Sequence, residues 1–145
     1  MDIEADKLIY QENTKILISV WDQRHRVMTW FFVTISALIA MTGFCYKIPQ
    51  LSSWSFVPLG IAAVISYICH LLDKVNTLVT RACYKVGTDF EKETSDGTGI
   101  FTKMHHVHYE LGNYVIPLKL LYLASAILFF VMSIIFCCIA IINKL

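Results

Sequence analysis

Three long stretches of the chain contain no charged residue: Val27–Tyr46, Ile48–Leu72 and Leu120–Asn143. A helix rising ~1.5 Å per residue needs about 20 apolar residues to cross ~30 Å of hydrocarbon, so each stretch is long enough to span a bilayer. The 12 basic and 11 acidic residues fall almost entirely before and between these stretches. A soluble chain of 145 residues has no use for three such runs, and its 57% hydrophobic content exceeds that of soluble domains. The expected fold class is an all-α integral membrane protein with three transmembrane helices, in which spans one and two continue as cytoplasmic helical extensions.

The net charge of +1 gives no overall basic balance that would argue for nucleic acid, so any electrostatic argument must be local. Before Val27 the acids Asp2, Glu4, Asp6, Glu12 and Asp22 face the bases Lys7, Lys15, Arg24 and Arg26. The apolar run that follows is too long for a cleaved signal core, and Phe44 directly before Cys45 does not suit a lipoprotein site; span one is expected to be retained. Cys45, Cys69, Cys83, Cys137 and Cys138 include no C-x-x-C pair and read as buried free thiols rather than a disulfide scaffold or zinc site. No cofactor is expected.

Ten of the 12 Lys and Arg precede span one or lie between Asp73 and Lys119; the others are Lys47 and Lys144. By the positive-inside rule the N-terminus and the central segment face the cytoplasm of a cell inner membrane, with the C-terminus outside. The expected organisation is a cytoplasmic N-terminal helix over 1–26, spans over 27–46 and 51–72, a cytoplasmic stalk helix, turn and short helix over 73–113, and a third span over 118–143. Leu71, Val75, Leu78, Ala82, Val86 and Phe90 recur at helical spacing, and no breaker separates Leu72 from Asp73. Span two is therefore expected to continue as one rod from about Pro58 to Glu91. Thr94–Gly99 reads as a turn, Lys103–Asn113 as a short helix, and Pro117 as a kink or first helical turn. Ala5–Arg26 lacks Gly and Pro, carries Ile9, Ile16 and Val20 as an apolar stripe, and is expected to extend span one in the same way.

Several clusters bear on function. Trp21-Asp22-Gln23-Arg24-His25-Arg26 is either an interface anchor, with Trp21, Trp30 and the arginines at the headgroups, or part of a structural ion pair. Arg26 and Asp73 each lie one residue beyond antiparallel spans, hence at similar depth, and are the expected pair. His70 sits near the end of span two, where it is either a cheap neutral imidazole or a proton-linked group. His105, His106 and His108 have the most metal-like spacing, with only Glu110, Asp89 or Cys83 as candidates for the further ligands a zinc site needs; they serve a metal, an anion together with Lys103, or an ordinary helix. Lys74, Arg81 and Lys85 share one face of the stalk and are the expected ligand-binding row, with Lys103, His105, His106 and His108 beside it. Thr29, Thr34, Ser36 and Ala40 give span one small and hydroxylated positions that either pack helices closely, with hydroxyls bonded back to their own carbonyls, or line a pore. Span three is bulkier (Leu128-Phe129-Phe130-Val131) and is expected to face lipid. No nucleophile elbow, zinc-protease, P-loop or dinucleotide motif is present, so an enzyme is not expected.

The charged helix ending in Trp21-Asp22-Gln23-Arg24-His25-Arg26, the segment His70-Leu71-Leu72-Asp73-Lys74-Val75-Asn76-Thr77-Leu78 and the close Phe90-Glu91-Lys92-Glu93 together resemble small bacterial membrane effectors of anti-phage defence: SLATT-type, Pycsar transmembrane and Hailong-type effectors. The resemblance covers roughly Asp22–Glu93 and is one of architecture. It implies a homo-oligomer that opens or disrupts the inner membrane under a nucleotide or oligonucleotide regulator, which would have to use the stalks. A partner protein supplying the signal is a further expected partner, and the alternative function is a non-conducting membrane anchor or accessory subunit of a larger complex.

Overall fold

The computed structural model describes residues 3–94, 99–104 and 112–142. Three long helices account for nearly all of them: α1 (Ile3–Lys47), α2 (Phe56–Thr94) and α3 (Gly112–Ile142). No strand occurs among the described residues. Each helix contains a segment long and apolar enough to cross a membrane, as a multi-pass membrane protein requires. With 45 and 39 residues, α1 and α2 are about 68 and 58 Å long, roughly twice the ~30 Å of hydrocarbon they would have to cross. The apolar runs are therefore parts of longer rods.

Local chemistry fixes the ends. Pro49, which has no N–H to donate, follows the end of α1. The connection closes through the Leu51 N–H to Ile48 C=O and Trp54 N–H to Leu51 C=O bonds, each 2.9 Å, and passes through a 3-10 turn, Ser52–Trp54. The second span thus becomes α-helical at Phe56. Pro58 falls in the first turn of α2, where N–H groups have no intrahelical partner and its absence costs nothing. Pro117 lies in the second turn of α3, a helix already begun at Gly112, and residues 100–104 are helical. The remainder of the expected short helix, 105–111, lies outside the described residues.

The chain divides into two compact units. One joins Met1–Arg26 to Asp73–Leu118, the other Val27–Leu72 to Lys119–Leu145. In the apolar unit, α3 packs by a narrow line: Tyr122 is buried with its ring edge-on to Phe31 at 4.7 Å, and Ser133 donates to the Phe56 carbonyl at 2.9 Å. A Cβ on Gly60 would stand 3.4 Å from the Ser133 hydroxyl, so the missing side chain permits this close approach. Among its described side chains α3 exposes many bulky ones, including Leu120, Ile127, Leu128, Phe130 and Ile134.

In the charged unit α1 and α2 run antiparallel. Their shared core is Leu17, Cys83, Tyr84 and Phe101, with Tyr10, Val79 and Met104 packed around it. Leu17 and Val20 are buried, whereas Ile9 and Ile16 of the expected stripe are exposed. The inversion on α2 is stronger. Val75, Leu78, Ala82 and Val86 face outward, and the buried line is Asp73, Asn76, Thr77, Thr80, Cys83, Tyr84, Gly87 and Glu91. The polar members of that line are largely satisfied within the fold. Thr77 and Thr80 donate to the carbonyls of Asp73 and Asn76, one turn back, at 2.8 Å each. The Asn13 amide of α1 crosses to the Cys83 carbonyl at 2.8 Å. Unlike a soluble helix, this part of α2 buries a line of polar residues and exposes Val75, Leu78 and Val86 beside its charged side chains.

Candidate functional site

The buried polar seam of the charged unit ends in two charged fixtures. At one end Asp73, 2% exposed, lies 2.7 Å from Arg24 Nε (Oδ1 to Nε). The angle misses a hydrogen bond, so the contact is Coulombic, and neither Asp73 oxygen has a hydrogen-bond partner among the described residues. The expected partner, Arg26, is exposed. Depth in the helix places either arginine near Asp73, but rotation decides between them. The inward line of α1 runs Tyr10, Asn13, Leu17, Val20, Arg24 at three- and four-residue steps, and Arg26 stands about 200° further round.

At the other end Glu91 of α2, also 2% exposed, caps the helical stretch 100–104. Its Oε1 accepts the Phe101 N–H at 2.7 Å and the Tyr10 hydroxyl at 3.0 Å; Oε2 accepts the Thr102 N–H at 2.7 Å and its hydroxyl at 2.9 Å. Burial pushes the Glu91 carboxyl upward, but these four donors outweigh it and hold the carboxyl below its ordinary value of 4.5. Tyr10 is shifted the other way, raised by burial and then by its bond to Glu91 and the carboxylate's charge. Its ring lies 5.1 Å from those of both Phe90 and Phe101. Two glycines make the closure fit. A Cβ on Gly87 would collide with the Phe101 ring, and one on Gly99 with the Glu91 carboxylate. The clasp ties α1, α2 and 99–104 together through one carboxylate. Sequence reasoning did not single out Glu91; the nearest signal was an acid followed, after a Gly-containing turn, by an apolar helix start.

The cationic row has the geometry its spacing implied. Lys74, Arg81 and Lys85 are exposed and share one face of α2, spread over about 17 Å, and Lys103 is exposed as well. That reach suits an extended anion better than a single phosphate. His105, His106 and His108 lie outside the described residues. Among the described residues no group of three His, Cys, Asp or Glu could hold a metal. His70 places Nδ1 3.3 Å from the Lys119 carbonyl of α3 and stacks on Tyr67, which ties α2 to α3 within the apolar unit.

The positions expected to line a pore separate on the helix. Thr29, Ser36 and Ala40 are exposed on one face of α1, and Gly43 continues that face with open space where a Cβ would be. Thr34 stands about 200° from Ser36 and is half-buried, so it leaves the group. Thr42 is buried and bonds back to the Leu38 carbonyl at 2.8 Å. No protein-family model, curated protein or solved structure matches the chain.

Proposed function

We propose that this chain is a homo-oligomeric membrane effector that opens an ion path through the bilayer, controlled from its charged, cytoplasmic unit by an extended anion of the nucleotide or oligonucleotide class. The observation that carries the reading lies in the apolar unit. There α3 turns Leu, Ile and Phe outward, as a lipid-facing helix does, while α1 presents Thr29, Ser36, Ala40 and Gly43 along one outward line. Small and hydroxylated residues gain nothing from acyl chains; against other copies of α1 they permit close approach and give the path a polar rather than a greasy wall. The same face of α1 carries exposed Asp22 and His25 before the span, which continues a polar lining into the cytoplasm. The Lys74, Arg81 and Lys85 row supplies the regulatory surface. The anti-phage setting rests on the resemblance of Asp22–Glu93 to defence effectors.

The test is conductance of the purified chain in liposomes. Ser36→Leu is expected to reduce ion flux at least tenfold, and Thr34→Leu, on a different face, to leave it within twofold. Charge reversal at Arg81 should alter regulation and spare assembly. Wild-type liposomes that conduct no ions, with or without added oligonucleotide, would sink the reading. The rival is a non-conducting anchor for a larger complex, and the apolar outer face of α2 is the observation that favours it. That rival predicts a stoichiometric partner and an electrically silent membrane.

A further inference from the structure

Beyond the apolar run of span two, α2 carries eight charged residues from Asp73 to Glu93, so this part of the helix is built for an aqueous setting. Yet Val75 is 56% and Leu78 57% exposed, and Ala82 continues their line. Lipid does not explain a greasy face on a stretch so rich in charge, and no described part of this chain covers it.

The spacing of that face says what does. Val75, Leu78 and Ala82 follow one another by three and four residues, a seven-residue repeat in which Val75 and Ala82 take position a and Leu78 position d. Along the same helix the register continues backward without a slip through Leu71, Ile68, Val64 and Ile61, all exposed. Within the span Tyr67 and Leu72 widen the exposed apolar face, as suits lipid; beyond Asp73 the apolar face narrows to this line, with Val86 beside it. The residue choice is informative too. Ile61, Ile68 and Val75 at a are β-branched, with Ala82 the exception, and Leu71 and Leu78 at d are not, with Val64 the exception, a composition closest to that of two parallel strands.

Two further features specify the partner as a second copy. Copies inserted in one bilayer with one topology run in the same direction, so a seam between them is parallel. The seam also ends in complementary charges: Lys85 takes the next d position and Asp89 the next a, both exposed, so in the paired state Lys85 belongs to the seam and leaves the anion surface to Lys74 and Arg81. In a parallel pair these are adjacent layers: each Lys85 stands opposite its own counterpart in the d layer, and the Asp89 pair one layer on lies within reach to offset the two positive charges. At the flanks Lys74 and Arg81 take position g and face Val79 and Val86 at e across the seam, which leaves no like-charge clash and lets their stems cover apolar surface. The buried line of Asp73, Thr80 and Gly87 takes position f, on the far side of the helix. Pairing here leaves the contacts to α1 undisturbed.

We propose that Val75, Leu78 and Ala82 form the seam of a parallel two-stranded coiled coil with a second copy of this chain, closed at its lower end by the adjacent Lys85 and Asp89 layers. This goes beyond the conducting reading, since the pair forms whether or not the assembly passes ions.

The full chain extracted into polymer nanodiscs, with its mass measured by mass photometry or light scattering, provides the test. Wild type is expected as a dimer or a multiple of it. Val75→Asp with Leu78→Asp should raise the dissociation constant at least roughly 100-fold and yield monomers, with helix content by circular dichroism unchanged. Because that variant risks misfolding, the charge pair gives an independent arm. Lys85→Asp or Asp89→Lys alone should weaken the dimer, and the two together should restore it. A monomeric wild type overturns the proposal. So does a seam variant that keeps the wild-type mass, or a charge exchange that adds the two losses instead of cancelling them. Loss of conductance without loss of the dimer would count against the function proposed above and leave the seam standing.

Discussion

Truncating Glu91 to Ala is the most direct probe of how the charged unit is held together. The carboxylate accepts two backbone N–H groups at 2.7 Å, and Phe101, which supplies one of them, is 3% exposed. Once the carboxylate is gone that N–H has no access to water, which costs about 2 kcal/mol; the half-buried Thr102 N–H adds about 1 kcal/mol. A tenfold change in an equilibrium corresponds to about 1.4 kcal/mol, so opening of the stretch should become favoured by roughly two orders of magnitude. The loss of the Tyr10 hydroxyl bond acts in the same direction. Amide hydrogen exchange on the protein in detergent or nanodiscs reads this locally. Protection at Phe101 and Thr102 is expected to fall about 100-fold in Glu91→Ala, while amides of the Phe31–Tyr122 contact in the apolar unit keep their wild-type rates. Protection within about threefold of wild type at both amides would refute the reasoning, because it would mean that the carboxylate does not carry these bonds.

Three further outcomes follow from the same geometry. The Glu91 carboxyl is held below its ordinary value of 4.5, so its stabilising contribution is complete above that value and is lost as pH falls through the lower, folded one; an acid titration of thermal stability should show this loss in wild type and not in Glu91→Gln. Gly87→Ala should destabilise the charged unit by about 1–3 kcal/mol by driving a methyl into the Phe101 ring, and Phe101→Leu in the same chain should recover part of it in a thermal melt. Arg24→Ala should cost about 2–4 kcal/mol by leaving Asp73 buried and unpaired, whereas Arg26→Ala, on an exposed face, should stay within about 0.5 kcal/mol; equal losses at the two arginines would contradict the pairing.

The rods themselves were legible in the sequence. Uncharged runs of span length, and the lack of any breaker at Arg26 or Leu72, required α1 and α2 to pass through those points as continuous helices, and they do. The site was legible in part. Asp73 stood out as an acid beside an apolar run, but its arginine could not be chosen by depth, because two residues along a helix change the direction of a side chain far more than its height. Glu91 was hidden for a different reason. Its meaning lies in two N–H groups ten and eleven residues later, a contact that no spacing along the chain announces.

The face of α2 carries the more general lesson. Periodicity located the apolar line of Val75, Leu78, Ala82 and Val86, and in the structure that line faces outward. A helical moment reports only that two faces differ; the rule that the apolar one points inward presumes that water lies outside. Where lipid or another copy lies outside, the buried side is free to be the polar one, provided its groups find partners within the chain. Thr77, Thr80 and Asn13 find carbonyls, and Asp73 finds Arg24. The inverted face is therefore a statement about surroundings. It is why the seven-residue spacing of that face, and not its hydrophobicity alone, identifies what covers it.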